Sequence, residues 1–327
     1  MLRRWLVVPL AAALAGCPSE SADPSDGTPE QKIALLPGLD LLVDFPSVDV
    51  GARAVGDPSM LRARAQDGAD DADDTVEPSL SIIATFEIRD ADDEDEAVSH
   101  WVQPTSGSAN AQAHLWIEDE GDGLIDYLVM REIGGDATLS AWGEVQDLGD
   151  GDSEGTLSVR DEPIPLPPIS SLPLGGLEDP TAPVEAELTF SSSGGTTNVT
   201  AWWDPDESQW SIDGARYMEA STDADGGAID LIEGIDIIGD EAPELLAIHL
   251  QWAADGSGRA DAFVCAAPCA DVDADRVGTF SECFDADGVV TWVQRTWVPS
   301  EDGDPASCGF PEESPSQSSV DALVSGQ

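Results

Sequence analysis

Lysine is almost missing from this chain. Lys32 is the only one, and arginine raises the basic total to just 13, against 66 acidic residues and a formal net charge of −53. A surface so short of cations repels phosphate backbones and anionic headgroups alike, which argues against nucleic acid as a partner and against electrostatic adsorption to a membrane. The acid is spread over the whole sequence, so it reads first as a solvated shell. Histidine is equally sparse, with only His100, His114 and His249. No G-x-S-x-G, H-E-x-x-H or lysine-bearing phosphate loop is present, so none of those catalytic signatures applies. No catalytic residue is assigned, and a non-enzymatic role is expected.

Long hydrophobic runs are also lacking, apart from the one that opens the chain. Met1 to Cys17 reads MLRRWLVVPLAAALAGC: two arginines, about a dozen apolar residues, then small residues before cysteine. That is the layout of an export signal, shorter than the roughly 20 apolar residues of a spanning helix. The ending Leu14-Ala15-Gly16-Cys17 resembles the lipobox of bacterial lipoproteins. The resemblance implies that Cys17 is acylated and becomes the first residue of the mature protein, with acyl chains as its membrane contact. Pro18 stands where aspartate would retain such a protein at the inner membrane, so the outer membrane is expected, facing either the periplasm or the outside.

Composition divides the remainder. Residues 18–32 are polar and Pro-rich and read as a flexible tether. The acidic piece Asp67 to Asp74 reads as a solvated loop. Residues 163–183 carry seven prolines and form an extended connection between an N-terminal half, 33–162, and a C-terminal half, 184–310. The tail 311–327 is disordered in composition. Within the halves, apolar and polar residues alternate, as in Leu80, Ile82, Ala84, Phe86 and Ile88, or Val184, Ala186, Leu188 and Phe190. Period two marks strands with one buried and one wet face, hence antiparallel sheet. Gly- and Asp-rich separators supply hairpin turns. Helical periodicity is absent from any long window, with at most a turn or two near Pro243 to Leu246. The expected fold is all-β, with about 12 to 14 strands and little or no helix.

The halves look alike. Ala113–Val129 aligns without a gap on Ile248–Val264, pairing His114 with His249, Gly121 and Gly123 with Gly256 and Gly258, and Asp126 with Asp261. Ala84–Ile88 matches Leu188–Ser192, Ala97–Pro104 matches Asn198–Pro205, and Thr138–Trp142 matches Thr279–Cys283. A duplicated antiparallel sheet is expected, closed barrel-like or split into two lobes.

Four cysteines follow Cys17: Cys265, Cys269, Cys283 and Cys308. In an exported chain an even number reads as two disulfides rather than a zinc site, with three connectivities open. Calcium is the one cofactor with candidate loops, scored for acids at places one, three, five and twelve and glycine at six. Asp150, Asp152, Glu154, Gly155 and Asp161 fill one such loop. In the other, Asp271, Asp273, Asp275 and Glu282 are spoiled by Arg276 at the glycine place. Asp119, Asp122 and Asp126 resemble the short Asp/Gly calcium loops of secreted repeat proteins. For each, the plainer reading is a solvated acidic turn.

Ten tryptophans are the last signal. Adjacent Trp202 and Trp203 must point to opposite faces of a strand, and an aromatic that leaves the core can bind sugars or apolar ligands. As a whole, the lipobox, acidic tether and Asp/Gly-rich strands resemble the acidic lipoproteins exported by myxobacteria and related bacteria, a likeness of general character that brings no catalytic residues. The expected role is non-catalytic, in binding or envelope structure. The alternatives are a carrier holding acyl chains on a concave sheet, as in periplasmic lipoprotein carriers, and a calcium-dependent binding module.

Overall fold

Period-two alternation builds a single antiparallel sheet of fifteen strands in strict sequence order. The computed structural model describes residues 33–38, 55, 59–86, 92–95, 98–105, 111–134, 136–160, 186–203, 216–235, 244–266, 269–296 and 299–325. Cys17, the tether at 18–32, Asp161 and the Pro-rich connection at 163–183 lie outside these. The strands are β1 (Asp93–Asp95), β2 (Val98–Pro104), β3 (Ala111–Gly121), β4 (Leu124–Ile133), β5 (Asp136–Gly149), β6 (Asp152–Val159), β7 (Ala186–Ser193) and β8 (Thr196–Trp203). They continue as β9 (Arg216–Asp223), β10 (Gly226–Ile235), β11 (Glu244–Ala253), β12 (Gly258–Ala266), β13 (Arg276–Phe284), β14 (Val290–Arg295) and β15 (Ser300–Gly303). Because β6 pairs directly with β7, the two halves form one continuous sheet. The sheet is not closed: β1 and β15 remain its edges.

The inner face carries the core. Leu157, Leu188, Ala201, Met218, Leu231, Ile248, Ala262 and Phe280 are consecutive cross-strand partners from β6 to β13, and all are buried in one cluster. Trp101 near one edge and Val293 near the other belong to that same cluster, so the sheet curls round a common interior.

A helix fills that interior. Helix α1 (Met60–Ile83) spans 24 residues, where a solvated loop at 67–74 and a strand starting at Leu80 were expected; Leu80–Ile83 are helical, and Ala84–Phe86 form a turn. Its apolar stripe is Leu61, Ala65, Ala69, Ala72, Val76, Leu80 and Ile83, at the three- and four-residue spacing of one helix face. Its middle is small, with Ala65, Ala69 and Ala72, which lets the helix approach the sheet closely; a β-carbon at Gly68 would stand 2.5 Å from Leu231 Cδ2. Polar ties fix its pose. Ser59 caps the start by accepting from the Arg62 amide. Arg64 Nε donates to Glu233 Oε2 at 3.0 Å, Arg216 pairs with Asp71, and Arg62 reaches the Gly256 carbonyl at 3.0 Å.

Two further α-helices among the described residues lie near the C-terminal end: α2 (Val272–Asp275) and α3 (Gln317–Ser325). The tail expected to be disordered thus contains a docked helix, because Val320 and Leu323 find an apolar patch on the outer face. Glu244–Leu246, where a helical turn was expected, begin β11. Of the three disulfide connectivities, the fold selects Cys265–Cys269 and Cys283–Cys308.

The longest matched segments of the internal repeat are both hairpins. Ala113–Val129 and Ile248–Val264 are the β3–β4 and β11–β12 hairpins, and their downstream matches are β5 and β13. The upstream match is partial: β2 corresponds to β8, but Ala84–Phe86 is no strand. Moreover, β9 and β10 intervene between β8 and β11, so the halves are not superposable strand for strand.

Candidate functional site on the outer face of the sheet

Side chains that alternate with the core residues cover the outer face in rows that cross the strands. One row runs Thr156, Thr189, Thr200, Glu219, Asp230, His249, Asp261 and Ser281, each the cross-strand partner of the next. A parallel row, two residues along, runs Gln146, Glu154, Ser191, Asn198 and Ser221. Between β4 and β8 these rows line an open groove of about 500 Å³, with Glu144, Glu154, Thr156, Thr189, Ser191 and Asn198 among its walls and Leu124 as an apolar contact. No cation stands among its lining residues. Cross-strand contacts shape it. Asn198 Nδ2 donates to Ser191 Oγ at 3.3 Å, and the Glu144 amide donates to Thr156 Oγ1 at 3.2 Å. The groove therefore offers hydroxyls, two amides and two carboxylates, chemistry for hydrogen bonding to a polar ligand.

Farther along the first row lies a charged cluster. His249 Nδ1 is 2.5 Å from Asp230 Oδ1, and Nε2 is 3.3 Å from Glu313 Oε2, at ion-pair distance without hydrogen-bond alignment. Burial works against the imidazolium, yet Asp230, Glu313 and Asp261 together hold the His249 pKa above its ordinary value. Arg259 grips Asp261 with two hydrogen bonds, at 2.7 and 2.9 Å, and lies 5.6 Å over the Trp292 ring. The repeat-matched His114 shares the face but not the environment. It stacks with His100 and Trp116, stands 3.2 Å from Glu132, and burial lowers its pKa.

The residues selected as calcium ligands are dispersed among turns. Asp119 Oδ1 accepts from the Gly121 amide at 2.9 Å, and Asp122 and Asp150 sit at positive φ, 53° and 58°, inside hairpin turns. Asp126 is on the outer face opposite Glu118 and Glu144. Asp152 accepts from Ser193 Oγ and the Gly194 amide, tying two adjacent hairpins together, while Glu154 lines the groove. The loop from Asp271 is a capped helical turn, its first carboxylate taken by the amides of Asp273 and Ala274. Among the described residues, no three His, Cys, Asp or Glu side chains converge as a metal ion requires.

Trp202 and Trp203 do point to opposite faces: Trp203 is in the inner core, and Trp202 packs beside the outer cluster under α3. Neither the groove nor the charged cluster was found from sequence, because cross-strand register and not local sequence decides which side chains meet on the outer face. The one signal pointing to the cluster was the repeat position of His249. Comparison of the chain with family models, with curated proteins and with solved structures gives no match.

Proposed function

We propose that this is a lipid-anchored envelope protein of the outer membrane with a non-catalytic binding role, held by acyl chains on Cys17 and binding a hydroxyl-rich, uncharged ligand such as a polysaccharide strand. The observation that carries the binding role is the groove: two parallel rows of hydroxyl, amide and carboxylate side chains, repeating at the roughly 4.8 Å strand spacing, in walls without a cation. Such a surface repels anions and suits a chain of repeating hydroxyls laid across the strands. The concave side supports no competing carrier role, since α1 and its apolar stripe occupy it.

Two arms test the proposal. Cys17→Ala should move the protein from the membrane to the soluble fraction, and intact-mass measurement of the wild type should find the acyl chains. Titration of the full-length protein with neutral polysaccharides should give saturable binding that Thr189→Val with Asn198→Leu weakens by about tenfold or more, equivalent to about 1.4 kcal/mol. Unchanged affinity in that double variant would remove the groove from the reading, and an unmodified Cys17 would remove the anchor.

A further inference from the structure

The C-terminal segment crosses the outer face as a strap. Residues 311–316 run over β11 and β12. There Gln251 Nε2 donates to the Pro311 carbonyl at 3.4 Å, and Asp261 Oδ2 accepts from the Glu313 amide at 3.3 Å. Glu312 stands 3.5 Å from Arg259 Nη2, and Glu313 stands 3.3 Å from His249 Nε2. Beyond the strap, α3 sets Val320 and Leu323 on Tyr217, Ile232, Leu245, Cys265 and Val272, and Gln317 bridges the Cys269 carbonyl and the Val272 amide.

We propose that His249 is the latch of this strap: in its protonated form it bridges the sheet to Glu313, and losing that proton releases residues 311–325 from the outer face. Every element packed against His249 faces it with acid. Asp230 comes from β10, with Glu219 of β9 as its cross-strand partner; Asp261 comes from β12, and Glu313 from the strap. The cation beside them, Arg259, is engaged by Asp261. A neutral imidazole leaves Glu313 without its counter-charge next to Asp261 and Asp230, so the same acids that hold the latch closed repel the strap once the proton is gone. The other polar ties of residues 311–316, at 3.3 to 3.5 Å, are long, and Glu312 is mostly exposed, which weakens its pair with Arg259; beyond them α3 keeps the two Gln317 hydrogen bonds, at 2.8 and 3.2 Å. Release bares Tyr217 and Ile232 and the neighbouring Trp202.

The sign follows from the direction of the shift. Because the folded protein holds this proton more tightly than free imidazole does, the latch contribution is complete below the ordinary value of about 6.5 and fades as pH rises through the elevated one. In full-length protein with intact disulfides, hydrogen exchange at Gln317–Ser325 is compared at about pH 5.5 and about pH 8.5 after correction for intrinsic exchange rates. Protection should fall by about tenfold, equivalent to about 1.4 kcal/mol, while β4 amides remain protected. His249→Gln should abolish the pH response and leave the strap at its loose level throughout; Glu313→Gln should reduce it. Equal protection of the wild type at both pH values overturns the latch, as does a full pH response surviving in His249→Gln.

Discussion

Trp203→Ala should lower stability by about 3–5 kcal/mol, the usual cost of deleting a large aromatic side chain from a core. Trp202→Ala, one residue away, should cost about 1–2 kcal/mol. Trp203 is 1% exposed within the cluster that surrounds α1. Trp202 is only partly buried, on the opposite face. The Trp203 indole N–H has no hydrogen-bond partner among the described residues, so its contribution is apolar. Trp203→Phe should therefore recover most of the loss, because it keeps the packing and discards an unpaired donor. Denaturant melts of the three variants check this ranking; equal losses for Trp202→Ala and Trp203→Ala would contradict the assignment of faces.

Glu282→Ala should cost about 2–4 kcal/mol. This carboxylate is 1% exposed, and its Oε2 accepts from Ser59 Oγ at 2.8 Å and from the Leu61 amide at 3.0 Å, at the helix end whose open amides favour negative charge. Alanine leaves both donors buried without an acceptor. Glutamine retains one acceptor oxygen and should cost about 1 kcal/mol. The two variants also differ from wild type in their pH dependence. Burial outweighs these hydrogen bonds and raises the Glu282 pKa. The folded state thus binds the proton more tightly than the unfolded chain. Stability associated with the protonated carboxyl is complete below the ordinary value of about 4.3 and is lost as pH rises through the elevated one. Glu282→Gln lacks that loss, so thermal melts should show it gaining on wild type with rising pH.

The all-β fold was legible because strands leave a period-two signal that acidity does not hide: Glu185, Glu187 and Thr189 alternate with Ala186, Leu188 and Phe190 whatever the net charge. Helix α1 was illegible for the same reason in reverse. The middle of its core stripe is Ala65, Ala69 and Ala72, which barely register as apolar. Its outward residues are the aspartates of a stretch that reads as a loop, and Pro78 lies within it. Leu80, Ile82, Ala84 and Phe86 satisfy an alternating pattern by coincidence, whereas packing against the sheet decides in favour of the helix. The C-terminal helix was hidden in a similar way. Val320 and Leu323 carry too little apolar surface to predict order, and only the patch beneath them supplies it. The hairpin glycines were readable because left-handed turns demand them. Rows that cross eight strands are set by register and not by local sequence, so the groove and the His249 cluster were beyond reach.

The strict meander has a consequence for how the molecule assembles. Each strand pairs with its chain neighbour, so most hairpins close over short loops at little entropic cost and can form independently. Helix α1 is the exception: Ser59 and Leu61 meet Glu282 at separations of 223 and 221 residues. The ladder of hairpins is thus cheap to nucleate, whereas the interior is finished only when the late strands meet helix α1. That long-range meeting, and not the pairing of any two strands, should govern the rate at which the whole chain becomes native.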